Sequence, residues 1–283
     1  MQAQAKLDCD KLDFNSEKDF FFHDSTTSSI KTIDPLFISN ATMVVCPEGI
    51  ERSSPNDIKK RWGFKWKVRY DNIYFKTSSG LVVEGMNKHG FSASLMLLKN
   101  SRLPEKEKEL IPIGASLAVN FYIDHFKSID TALLAVWDTR IFDDMDMECE
   151  WPFRIILHDS CGATAYIEHI NSRLRVYTPE APCAITSGAD YARLLMLKYM
   201  PDSLPANKAE ERFLHYDQIL PGKNITAFVP EFTNSDVSAQ AAVFIKDHTS
   251  RSITIIDGRG KRKVIKFSGI EPIPGREISK SIF

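Results

Sequence analysis

Glu84–Lys99 reads EGMNKHGFSASLMLLK, and the fold turns on how this stretch is read. Met86-Asn87-Lys88-His89-Gly90 has turn chemistry, because Asn and Gly both tolerate a positive φ. The residues that follow alternate. Phe91, Ala93, Leu95 and Leu97 share one face of a strand, and Ser92, Ser94 and Met96 share the other. Both faces are small or apolar, which predicts a strand covered on both sides.

Upstream, KWKVRYDNIYF (65–75) alternates apolar and charged residues, as a half-buried strand does. ATMVVCP (41–47) and DFFF (19–22) are further β-type runs, and the polar, Ser/Thr-rich HDSTTSSIKT (23–32) reads as a loop insertion. Downstream, ASLAVNFYIDHF and SIDTALLAVWDTRIF have helical spacing. Leu117, Phe121 and Ile123 lie near one stripe, and Ile129, Leu133, Leu134 and Trp137 form another. The short Lys127-Ser128 junction makes the two helices neighbours. DDMDMECE (143–150) reads as a solvated acidic loop. Strands return in FRIILHDSCGATAYIEHINSRLRVYTPEAPCAIT, with turns at Asp159–Gly162 and Asn171–Arg173. A mixed segment over 191–220 contains helix, and AAVFIKDHTSRSITIIDGRGKRKVIKF closes the chain as another hairpin. Strand hairpins flanking a central helical pair predict an α+β layered fold.

The 283 residues fit one domain spanning 1–283, and a net charge of −1 gives no reason to expect nucleic-acid binding. No apolar run approaches a membrane span, and the N-terminus MQAQAKLDCDKLDF has no signal-peptide core. Cys9, Cys46, Cys149, Cys161 and Cys183 are scattered, odd in number and without CxxC spacing. That favours reduced thiols in a cytoplasmic setting over disulfides or a zinc site. HDS (158–160) holds triad residue types, but neighbours on a strand and turn do not converge on one another. His158, Cys161 and His169 have no metal-ligand spacing, so no metal is expected. GRGKRK (258–263) reads as a charged hairpin tip. Trp62, Trp66, Trp137 and Trp151 are spread among elements and read as core.

In order and motif the chain resembles the choloylglycine hydrolase and penicillin V acylase family. Glu84–Leu98 is similar to that family's DGMNEKGL turn and following strand. NFYIDHFKSIDTALLAV is similar to its helix pair, and the strand run ending in AITSG to its run ending in VLTNSP. Glu211–Phe213 (ERF) and the terminal hairpin match in the same order, from Asp34 to Glu271. The resemblance implies a four-layer αββα sandwich of N-terminal nucleophile type that cleaves a small-molecule linear amide without a cofactor; a homo-oligomer is one assembly open to this chain. In that chemistry a cysteine heads the mature chain, and its own α-amine serves as base.

Carried onto this sequence, the nucleophile falls on Cys9, exposed by loss of residues 1–8, with CDKLDF as the first strand and SEKDFFF supplying the turn and second strand. The alternative for Cys9 is a chance cysteine in an N-terminal tail. Asp34 takes the aspartate place in IKTID, with Lys31 where the family has arginine. Arg212 matches the late arginine. The oxyanion Asn falls on Ser187, and a further oxyanion position on Leu97, where only a backbone N–H is offered. Two readings follow: an amide hydrolase acting through Cys9, or a non-catalytic protein that keeps the fold to bind a ligand or partner.

Overall fold

The computed structural model describes residues 20–23, 28–33, 41–54, 64–104, 109–145, 151–179, 183–184, 242–257 and 260–282. Its strands are β1 (Phe20–His23), β2 (Ser28–Ile33), β3 (Thr42–Cys46), β4 (Glu51–Ser53), β5 (Lys65–Lys67), β6 (Asn72–Lys76), β7 (Val82–Asn87), β8 (Ser92–Leu97) and β9 (Ile111–Gly114). After helices α1 (Ala118–His125) and α2 (Ile129–Val136) come β10 (Thr139–Phe142), β11 (Phe153–His158), β12 (Thr164–Ile170), β13 (Arg173–Tyr177), β14 (Cys183–Ala184), β15 (Ala242–Asp247), β16 (Ser252–Ile256), β17 (Arg262–Lys266) and β18 (Ile278–Ser281).

Two antiparallel sheets dominate. One runs β13-β12-β11-β8-β7-β6-β3-β18 and the other β14-β1-β2-β15-β16-β17. They stack face to face: the Phe75 ring of one meets the Phe244 ring of the other edge-on at 4.8 Å. β8 is buried along its whole length, as its alternation predicts. Ala93, Leu95 and Leu97 face α1 and the outer core, while Ser92, Ser94 and Met96 face the second sheet. Gly85 permits this packing: a Cβ there would stand 2.6 Å from Ile123 Cδ1 of α1. The Asn87 side chain donates to the carbonyls of Ile123 (2.9 Å) and Phe126 (2.7 Å), tying the β7–β8 turn to the end of α1.

Several expectations change. Residues 28–32, read as part of the polar loop 23–32, lie in a strand of the six-stranded sheet, Ser28–Ile33, paired on both sides. The run is SSIKTI, and pairing on both edges makes it a strand despite its polar start. CDKLDF, expected to pair with SEKDFFF, lies outside the described residues. Within β1, Phe21 pairs Lys31 on one edge and Ala184 on the other. The second helix stops at Val136, and Thr139–Phe142 forms β10, parallel to β9. The buried stripe of α2 is Ile129, Ala132 and Val136, so Leu134 and Trp137 lie 74% and 60% exposed rather than in the core. The helical segment expected over 191–220 lies outside the described residues.

Candidate functional site

The gap between the sheets is unusually polar. From the six-stranded sheet, Phe21, His23, Ser29, Lys31, Phe244 and Lys246 project inward, as their cross-strand registers require. From the eight-stranded sheet come Glu84, Ser94, Met96, Arg154, His158 and Glu168.

The centre is a closed ionic knot. Lys246 Nζ lies 2.8 Å from Glu84 Oε1 and 2.9 Å from Ser94 Oγ. Ser94 Oγ in turn lies 2.8 and 2.9 Å from the two Glu84 oxygens. Burial pushes the Lys246 amine below its ordinary range, Glu84 pulls it back, and the nearby Lys31 charge adds to the depression. A serine beside a depressed lysine has nucleophile-and-base chemistry in principle. Here all three residues are buried, with Glu84 and Lys246 at 0% exposure, so the knot offers no surface to a substrate.

On one side, Phe21 packs with Met96, Ile156 and Tyr166, the Tyr166 ring standing edge-on at 6.4 Å. Beside it Arg154 Nη1 pairs Glu168 Oε1 at 2.8 Å, with both residues buried. On the other side sit three histidines. The His158 ring lies 4.2 Å from His248 and 5.7 Å from His23. His248 bonds Gly90 O through Nδ1 (2.6 Å) and Ser29 Oγ through Nε2 (2.9 Å), and His158 Nδ1 bonds Thr164 Oγ1 at 2.6 Å. Burial drives the His158 pKa well below 6.5, helped by His248, His23 and Lys246. Among the described residues, no group of three or more His, Cys, Asp or Glu is arranged to hold a metal ion.

This fold matches solved amide hydrolases. Penicillin V acylase from Agrobacterium tumefaciens superposes with a TM-score of 0.70 at 15% identity, over 89% of this chain and 87% of that one. A variant of conjugated bile acid hydrolase from Clostridium perfringens gives 0.72 at 11% identity, over 93% and 97%. A second variant gives 0.70 at 10%, over 93% and 96%. The chain has the choloylglycine hydrolase fold. No protein-family model and no curated protein sequence matches it.

Of the residues to which the resemblance assigns roles, Cys9, Asp34, Ser187 and Arg212 lie outside the described residues. Leu97 is fully buried with Ala93 and Leu95 on the helix-covered face, and its backbone pairs with Phe153. Lys31 is buried between the sheets, next to Phe21 across the β1–β2 ladder. Of the remaining cysteines, Cys46 is buried, with its thiol pKa raised by desolvation, and Cys161 is exposed at the β11–β12 turn. The Glu84–Lys246–Ser94 knot was missed from sequence. The only signal for it was a charged residue at an inward position of each of two otherwise apolar strands. Among the described residues, no helix is long and apolar enough to cross a membrane.

Proposed function

We propose that this chain is a non-catalytic relative of the linear amide hydrolases, keeping their four-layer αββα arrangement to hold a ligand or protein partner. The observation that carries the reading is Phe21. The resemblance requires a nucleophile near the residue that takes the arginine's place, which is Lys31, whereas Cys9 lies outside the described residues. Across the β1–β2 ladder the neighbour of Lys31 is a phenylalanine at 0% exposure, closed in by Met96, Ile156 and Tyr166. A phenyl ring supplies neither thiolate nor base, and it fills space an acyl amide would need. Lys31 adds a second departure, since an ammonium does not reproduce the planar two-pronged contact of a guanidinium. Ser187 in the oxyanion place adds a third, and loss of one such donor costs roughly a hundredfold to a thousandfold in rate.

Intact mass of the purified protein and a broad panel of N-acyl amides test the reading together. The expected result is a chain that keeps residues 1–8 and turns over none of the panel. A chain that begins at Cys9 and hydrolyses an amide, with the activity lost in Cys9→Ala, would replace this reading with the hydrolase one.

A further inference from the structure

At the turn end of the sandwich, away from Leu97, a cleft of about 380 Å³ opens between the two sheets. Along β8 this end lies roughly 17 Å from Leu97, at about 3.4 Å per residue. The apolar floor is Phe267 and Ile270 from the segment after β17, both partly exposed, backed by the buried Val45 and Ile73 of the eight-stranded sheet. The rim carries Lys88 from the β7–β8 turn and Arg251 from the β15–β16 turn.

The two turns that bear the rim are locked together. His248 Nδ1 bonds Gly90 O at 2.6 Å, and the backbones approach so closely that a Cβ on Gly90 would stand 2.1 Å from His248 O. The cleft is therefore preformed. The two rim cations differ. Lys88 is neutralised by Glu48 at 2.7 Å and Asp71 at 3.4 Å. The exposed Arg251 guanidinium has no hydrogen-bond or ion-pair partner among the described residues. It also sits at φ +54°, a conformation that disfavours any side chain bulkier than Gly or Asn. A turn that needed only to turn would carry glycine there. Strain of this kind points to a retained use for the side chain. The local field agrees: burial lowers the His89 pKa, and the charges of Lys88, Arg251 and Lys127 lower it further.

We propose that this cleft binds a small apolar molecule with a single anionic head, its tail on Phe267 and Ile270 and its head on Arg251. The site stands whether or not hydrolysis occurs at the other end of the sandwich.

Titration of the full-length protein with octanoate, octanol and octylammonium tests it, followed by methyl NMR and calorimetry. Octanoate should bind most tightly, shift the Val45, Ile73 and Ile270 methyls, and lose at least tenfold in affinity in Arg251→Glu. Arg251→Gly should weaken octanoate by several-fold while raising the melting temperature, since glycine relieves the strained φ. A merely structural arginine would not produce that opposed pair of changes. Equal affinity for octanoate and octanol, unchanged affinity in Arg251→Glu, or shifts confined to the Leu97 end would overturn the proposal. So would no octanoate binding at millimolar concentration.

Discussion

Lys246 and Glu84 meet at 2.8 Å with neither exposed, so each is tolerable only because of the other. A buried pair returns little net stability, yet removing one member strands a charge and costs about 3–5 kcal/mol. Glu84→Gln should therefore lower the urea midpoint sharply. The double change Glu84→Leu with Lys246→Met, which leaves no charge behind, should lose much less. If single and double variants lost the same, the two groups would not be coupled. The pair also shows where sequence reading ends. Glu84 opens the very stretch that decided the fold, and Lys246 stands in an alternating strand. Their contact joins residues 162 positions apart, and one sequence contains no signal of that pairing.

At the scale of elements, legibility depended on whether local pattern and tertiary context agreed. β8 and its turn were readable because both faces are small or apolar and the turn residues carry a local signal. β2 was not, because a Ser/Thr-rich run becomes a strand only once two neighbours pair with it. The second helix was read six residues too long, through Phe142 instead of Val136, since TRIF at 139–142 continues the apolar rhythm into a strand pairing with β9. Gly90 was readable as a turn residue but not as a contact. It has φ +80° and no room for a methyl beside His248 O, whereas Gly49 has φ +91° with nothing within 4 Å. Gly49→Ala should cost about 1 kcal/mol from the backbone alone. Gly90→Ala should cost clearly more, roughly 2–4 kcal/mol, because the two turns must also separate. Thermal unfolding of the two variants compares them directly. Equal losses would mean that the turns are not locked to each other.

For the molecule as a whole, the buried histidines couple stability to pH. His169 is held at about 4 by desolvation, and burial with His248, His23 and Lys246 around it drives His158 well below 6.5. Both are neutral in the fold and titrate near 6.5 once unfolded. The unfolded chain therefore binds more protons between those values. The stability these residues contribute is fully present above pH 6.5 and is lost as pH falls toward 4. For His169 the full loss is about 3 kcal/mol. Asp124 and Asp144, whose pKa values burial raises above 3.8, act in the opposite sense from 3.8 upward and so oppose part of the decline. The urea midpoint should accordingly be flat from pH 8 to 7 and fall steadily from 6.5 to 4.5. Replacing His158 by Gln, which keeps a polar group near Thr164 but cannot take up a proton, should flatten part of that slope. A midpoint that does not move between pH 7 and 4.5 would show that these histidines are not held neutral in the fold, His158 between the sheets and His169 on the opposite face of β12. The polar inter-sheet layer would then be open to water, which would also remove the argument that Phe21 closes it.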